Sequence, residues 1–148
     1  MKEHFFKVIL VDDDEDDRYL FSKAFQSLNI KTELQLFKDG QEFIDYLESG
    51  LGNLPEIVFL DLNMPIKNGL ECLQYLRIDP KYSDIFVAIY STSSSDTDME
   101  ATLHHGANIY IQKPSNFKTL TNVIDRALKT CYQYATSQLD RHSFILKL

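Results

Sequence analysis

Residues 5–17 read FFKVILVDDDEDD, an apolar run that ends on six consecutive acids, Asp12 to Asp17. Carboxylates packed this closely repel one another, so their position needs a cause. The simplest cause is local: acids in the first turn of a helix face the positive end of its dipole, and charge runs are commonly solvated faces. Whether that is sufficient depends on what the rest of the chain brings near them.

Outward from this stretch, short runs of β-branched, aromatic and aliphatic residues recur as TELQLF (32–37), EIVFL (56–60), IFVAIY (85–90) and NIYIQ (108–112). With residues 5–11 they make five expected strands, four of them apolar enough to be covered on both faces. Helical spacing fills the intervals. Leu20, Phe21, Ala24, Phe25 and Leu28 share one face, as do Phe43, Ile44 and Leu47, and Leu70, Leu73 and Leu76. Phe117, Leu120, Ile124, Ala127, Leu128 and Cys131 hold a stripe over four turns, with Ser115 or Asn116 available as its cap. A shorter helix, about 97–105, rests only on Met99, Ala101 and Leu103. Turn signals separate these elements at DGQ (39–41), SGLGNLP (49–55), IKNG (66–69) and HGAN (105–108). Strict alternation of strand and helix requires crossover connections, hence a parallel sheet with helices on both faces, a doubly wound α/β domain.

Composition narrows the function classes. At 148 residues the chain suits one domain. A formal charge of −7 disfavours nucleic acid as a direct partner. No apolar stretch is long enough for a membrane span, and the N-terminus lacks a signal-peptide core, so a cytoplasmic location is expected. Cys72 and Cys131 stand apart without CxxC spacing, which suggests buried hydrophobes rather than a thiolate site.

In a doubly wound sheet, ligands bind outside the carboxyl ends of the strands. The residues just past those ends are Asp12 and Asp13, Asp61, Ser91 with Thr92, and Lys113. Three carboxylates, a hydroxyl and an ammonium therefore converge on one rim from positions a hundred residues apart. Two carboxylates about 4 Å apart repel by roughly 4 kcal/mol at an effective dielectric near 20, and one lysine does not balance three of them. Either a proton is held at raised pKa or a cation fills the pocket. A hard divalent ion suits oxygen ligands, and Mg²⁺, which keeps several waters, suits this donor set better than Ca²⁺. An Asp carboxylate beside such an ion can be a nucleophile toward phosphorus. Asp61, on the central strand, is best placed for that role. Asp12 and Asp13 are then the metal holders, Lys113 the neutraliser of a phosphoryl oxygen and Ser91 a hydrogen-bond donor to another.

VILVDDD (8–14), VFLDLNMPIKNG (58–69), AIYSTSS (88–94) and YIQKPSNF (110–117) resemble, in order and spacing, the four signature blocks of the receiver domain of bacterial two-component response regulators. The match covers about residues 5–131 and is closest in style to the stand-alone chemotaxis type. The resemblance implies a flavodoxin-like five-stranded parallel sheet in the order 2-1-3-4-5. It implies Asp61 as phosphoacceptor and Mg²⁺ bound directly by Asp13, mostly through water by Asp12, and by the backbone carbonyl of Asn63. Lys113 corresponds to the family's lysine, with a cis peptide expected before Pro114. Ser91 and Tyr110 correspond to the switch hydroxyl and switch aromatic, which move together and reshape the surface of the fourth helix and fifth strand. A histidine kinase or phosphotransfer protein is the implied donor, a downstream protein the implied target. On this reading the chain is no enzyme beyond catalysing its own phosphorylation and dephosphorylation.

Two alternatives remain at this level. Phosphatases with an Asp nucleophile also use Mg²⁺, but they place a second acid two positions on, where this chain has Asn63. A receiver-like interaction module without phosphorylation would keep the fold, though it would not need all five pocket residues. Residues 1–133 are expected to form the receiver. The 32 residues from Phe117 onward, ending RHSFILKL, are expected to hold the last helix and, rather than an output domain, the tail 134–148. Its apolar end could pack back on the domain, join a homodimer or stay in solvent; exposure of apolar area disfavours the last, and a dimer contact is the expectation. Met64 and Pro65 are expected to shape their loop and Gly69 to serve the turn into the third helix.

Overall fold

The structure, a computed structural model, describes residues 6–137 and 146–147. Strands and helices alternate along the chain: β1 (Phe6–Val11), α1 (Glu15–Gln26), β2 (Thr32–Phe37), α2 (Gly40–Ser49), β3 (Ile57–Leu60), α3 (Gly69–Ile78), β4 (Phe86–Ser91), α4 (Asp96–His104), β5 (Ile109–Gln112), α5 (Phe117–Ser137) and β6 (Leu146–Lys147). The sheet is parallel throughout, in the order β2-β1-β3-β4-β5-β6. The expected order 2-1-3-4-5 is present, and the two-residue β6 extends it beside β5. The dimer contact expected of residues 141–148 falls mostly outside the described residues.

The period-2 alternation of each strand divides the core into two layers. Ile9 and Val11 of β1 point to the side that α2 and α3 cover with Phe43, Ile44, Leu47, Cys72, Leu73 and Leu76. Val8 and Leu10 point to the opposite side, against Phe21, Ala24 and Phe25 of α1 and Leu120, Ile124 and Leu128 of α5. Phe21, Phe59 and Tyr90 meet edge to face at the centre of that layer. Leu20 and Phe117, expected on buried stripes, lie 46% and 47% exposed at the margins of α1 and α5, because the stripe is narrower there than the apolar residue count. Among the described residues no helix is long and apolar enough to cross a membrane.

Side-chain caps fix where the helices begin. Asp14, Asp39, Asn68, Ser95 and Asn116 each accept a backbone N–H three residues on, and Asn68 forms a full capping box with Glu71. Of the two caps expected for α5, Asn116 is the one used, accepting from Thr119 N at 2.8 Å. α4 buries only Thr102, so its short stripe translates into a thin attachment.

At the end of the sheet opposite the strand C-termini, half-buried Arg77 ties three segments together. Its guanidinium donates to the carbonyls of Gly106 (2.9 Å), Ser83 (3.0 Å) and Ile85 (2.8 Å) and to Asn108 Oδ1 (2.9 Å). Asn108 Oδ1 also accepts Val87 N at 2.8 Å, which ties the start of β4 to the turn before β5. Truncating Arg77 leaves several acceptors without donors, and Arg77→Ala is expected to cost about 3 kcal/mol in urea denaturation. An unchanged unfolding midpoint would mean that water replaces the guanidinium at no cost.

Candidate functional site

Parallel register assembles the site. Val11 of β1 pairs with Leu60 of β3, so the residues that follow, Asp12 and Asp61, emerge side by side. Asp61 N donates to Val11 O at 3.0 Å, Asp12 N to Phe37 O at 3.1 Å and Lys113 N to Ser91 O at 2.8 Å, which extends the ladders one residue past the strands. Asp12, Asp61 and Ser91 are buried, and the Lys113 side chain is 9% exposed. All the rim residues expected from the sequence are thus brought to one end of the sheet.

Carboxylate oxygens of Asp12, Asp13 and Asp61 all lie within 4.8 Å of one another. Lys113 Nζ stands 2.9 Å from Asp12 Oδ2 and 3.5 Å from Asp61 Oδ2. Asp12 Oδ2 is fully buried and meets the Lys113 ammonium as an ion pair without hydrogen-bond alignment. One ammonium shared by Asp12, Asp17 and Asp61 leaves the carboxylate cluster with an excess of negative charge. Hard oxygen donors and an excess of negative charge together fit a divalent cation, held by Asp12, Asp13 and Asp61.

Burial pushes the Asp61 carboxyl up to about 6, against the pull of Lys113 and with the push of Asp12 and Asp13. Burial also raises Asp12, against the Asp14 backbone N–H and Lys113. For Lys113, burial works against the charge, but its bonds to Asp17 and Asp12 win and hold it above its ordinary value. A cation needs the carboxylates ionised, so proton and metal compete below about pH 6. Divalent affinity is therefore expected to fall as the pH drops through about 6, by about tenfold per pH unit for each proton displaced. Calorimetric titration between pH 5 and 8 checks this; an affinity independent of pH across that span would show that Asp61 is ionised throughout.

The six-acid run divides. Asp14 caps α1, accepting Asp17 N at 2.9 Å, and Glu15 and Asp16 sit exposed in the first turn, as the dipole explanation has it. Asp12 and Asp13 face the pocket. Asp17, which the spacing did not single out, reaches back to Lys113 at 2.8 Å. The available signal was its position one helical turn past Asp13. Arg18 donates to the Asp12 carbonyl at 2.7 Å and steadies the same loop.

Ser91 Oγ accepts Ser93 N at 3.1 Å, which leaves its O–H to donate. Asn63 N donates to Asp61 Oδ1 at 3.4 Å. Tyr110 is 1% exposed, and its hydroxyl donates to Ser93 O at 2.8 Å, so the ring is held inward against the loop that carries Ser91 and Ser93. Ser93 Oγ in turn donates to Asp98 at 2.6 Å. Cys72 and Cys131 are buried, and burial pushes the Cys72 thiol up to about 12, consistent with packing roles. Two expectations need correction. No peptide bond among the described residues is cis, so Lys113–Pro114 is trans, the form X–Pro bonds favour by about 0.5–1 kcal/mol. Gly69 does not serve a turn: it opens α3 and is pressed against the Asp61–Leu62 backbone, where a Cβ would lie 2.2 Å from Asp61 O.

Comparison with known proteins bears on this arrangement. The family model described as "Response regulator receiver domain" matches residues 8–125. The chain is 31% identical over 123 residues to the probable methanogenesis regulatory protein FilR2 of Methanothrix harundinacea, covering 81% of this chain and 79% of that protein. It is 29% identical over 121 residues to the response regulator Rcp1 of Synechocystis, covering 79% of this chain and 82% of Rcp1. The crystal structure of the phosphorylated cyanobacterial phytochrome response regulator RcpA superposes with a TM-score of 0.78 at 28% identity, over 93% of this chain and 98% of that one.

Proposed function

Since the chain belongs to the response regulator receiver domain family, we propose that Asp61 is its phosphoacceptor, charged by a histidine kinase or phosphotransfer protein with Mg²⁺ held beside it. Phosphoacceptor signalling in a two-component system is what the chain does. It is a signalling module, and the only chemistry assigned to it is its own phosphorylation and dephosphorylation. The observation that carries the assignment is the buried Asp61 carboxylate, clustered with the carboxylates of Asp12 and Asp13 beside a lysine ammonium.

The chemistry follows from what each residue can do. An oxygen of the ionised Asp61 carboxylate attacks the phosphorus of a phosphohistidine; a new P–O bond forms as the P–N bond breaks, and the imidazole nitrogen leaves with the electron pair. The attacking and leaving atoms lie roughly in line, and charge spreads over the three equatorial oxygens. Lys113, 3.5 Å from Asp61 Oδ2 before transfer, neutralises one of them. The Ser91 hydroxyl, one strand away, donates to another. A bound Mg²⁺ supplies the charge that offsets carboxylate repulsion and the developing negative charge on phosphorus. Asp12, Asp13 and Asp61 would hold that ion, joined by the Asn63 carbonyl. Tyr110, pinned to Ser93 O, is the element that a moving Ser91 loop would release or retain, and the face of α4 and β5 is the surface read by a downstream protein.

Intact mass after incubation with acetyl phosphate tests the proposal. One phosphoryl group appears on the wild type with Mg²⁺ and is absent without the ion; a folded, Mg²⁺-binding chain that takes none refutes it. A homodimer contact through residues 141–148 is a separate proposal, set against packing back on the domain, which is how Leu146 and Lys147 pair with β5. Deleting them then halves the mass seen by light scattering, and an unchanged mass rejects the contact.

A further inference from the structure

We infer that Asp17 is a positioning residue: it keeps the Lys113 ammonium in the pocket once a divalent cation has taken Asp12 and Asp61. The inference rests on the cation reading of the site given above.

Three carboxylates surround Lys113 Nζ, and they are not equivalent. Asp17 Oδ2 is nearest at 2.8 Å, with hydrogen-bond alignment. Asp61 Oδ2 is aligned but long at 3.5 Å. Asp12 Oδ2 is close at 2.9 Å and not aligned. Asp12 and Asp61 are also two of the three acids whose oxygens cluster within 4.8 Å, and Asp17 is not a member of that cluster. A divalent ion in the cluster draws on the same oxygens that hold Lys113 and repels the ammonium itself. Of the three anions, only Asp17 keeps its negative charge for the lysine.

The geometry around Asp17 suits an anchor. Its backbone N–H is fixed on the Asp14 cap at 2.9 Å, so the side chain leaves α1 from a defined position. Lys113 is fixed at its own backbone by Ser91 O at 2.8 Å, and its ammonium lies 5.4 Å from the Tyr90 ring centroid. With both ends of the bridge held, the ammonium can give up Asp12 without leaving the rim where a phosphoryl oxygen must find it. Asp16, one residue away, carries the same formal charge but is exposed. It separates a specific bridge from general electrostatics.

The test is calorimetric Mg²⁺ binding by the full chain as wild type, Asp17→Asn, Asp17→Glu and Asp16→Asn, with the two Asn substitutions repeated on Lys113→Met. Without Asp17 the ammonium falls back on Asp12 and Asp61 and competes with the ion. Asp17→Asn is therefore expected to weaken Mg²⁺ binding about tenfold, Asp16→Asn no more than about threefold, and Asp17→Glu to recover most of the loss. On Lys113→Met the two Asn substitutions become equal. Equal effects of Asp16→Asn and Asp17→Asn in the lysine-containing chain overturn the inference, because Asp17 is then only a solvated acid. A tenfold loss from Asp17→Asn that persists on Lys113→Met also overturns it, because Asp17 is then itself a ligand. If Lys113→Met does not fold, NMR of the Lys113 ammonium replaces it. The ζ-NH₃ signal must survive Mg²⁺ in the wild type and broaden in Asp17→Asn; survival in both is a negative result. Phosphoryl uptake is measured separately by mass, so a wild type that binds Mg²⁺ with this coupling but takes no phosphoryl group sinks the phosphoacceptor reading and leaves the bridge standing. A wild type that binds no Mg²⁺ overturns both.

Discussion

Asp61→Asn is expected to take up phosphoryl groups from acetyl phosphate roughly a thousandfold more slowly than the wild type, or not at all, while unfolding at a higher temperature when no divalent ion is present. The first effect follows from the nucleophile: an amide oxygen beside Lys113 and Asp12 cannot form the acyl phosphate. The second follows from the cost of holding a charge there. Burial and two neighbouring acids raise the Asp61 carboxyl from 3.8 to about 6, so the ionised form is disfavoured in the fold relative to the unfolded chain. For an acid with a raised pKa, the folded state binds the extra proton between the two values. Its stability therefore falls as pH rises from about 4 to about 6 and stays lowered above that. The amide carries no such penalty. At one unit per 1.36 kcal/mol, the variant gains on the order of 3 kcal/mol above pH 6 and close to nothing at pH 4, a shift of roughly 6–12 °C in midpoint for a domain of this size. Thermal unfolding of both proteins in EDTA at pH 4.5 and 7.5 reads this directly. Saturating Mg²⁺ at pH 7.5 should then stabilise the wild type more than the variant. A variant no more stable than wild type at pH 7.5 would mean that Lys113 already balances the carboxylate.

Gly69→Ala is expected to cost about 4 kcal/mol of stability and to slow phosphoryl uptake about a hundredfold in whatever fraction folds. An added Cβ would lie 2.2 Å from Asp61 O, 2.8 Å from Leu62 Cα and 2.9 Å from Asp61 C, all backbone atoms without rotamers to yield. Neither side can retreat easily. Asp61 N is bonded to Val11 O and Gly69 N to Leu62 O, both at 3.0 Å, and α3 buries Cys72, Leu73 and Leu76 against the sheet. Relief must come from lifting the first turn of α3 or shifting Asp61, and the second displaces the nucleophile. Gly50 is the comparison: it adopts φ 65 at the end of α2 with nothing within 4 Å of a Cβ, so Gly50→Ala should cost only the left-handed penalty of about 1 kcal/mol. Urea denaturation of the two variants separates close approach from backbone handedness. A Gly69→Ala chain as stable as Gly50→Ala would show that α3 is free to slide.

Much of this molecule is legible along the chain because its signals are local. The apolar runs ending at Val11, Leu60 and Tyr90 are buried strands, and the residues after them are the rim residues, with Ser91 serving as the last residue of β4 rather than the first beyond it. Asp39 and Asn68 stand in turn signals and become helix caps. Even the weak stripe around Met99 is a helix, and its weakness is physical, since only Thr102 of α4 is buried. The misreadings are equally specific. Leu20 and Phe117 are apolar but lie where the helix surface turns away from the sheet, and Gly69 is required by a neighbour's backbone rather than by its own dihedrals.

The sequence by itself determined the alternation of elements, the parallel sheet and the convergence of Asp12, Asp13, Asp61, Ser91 and Lys113 on one rim, because period, caps and turns act over a few residues and a parallel sheet has only one ligand-binding end. Only the tertiary structure decided which acids of the run have work beyond a helix dipole. Asp17 meets Lys113 across 96 positions, and Asp12 is buried against the same lysine while Asp14 is spent on a cap. The cause is that the packing of α1 on the sheet, where Phe21 meets Phe59 of β3 and Tyr90 of β4, points one face of that helix at the lysine, and a helix's orientation is set by what it packs against as well as by its own residues.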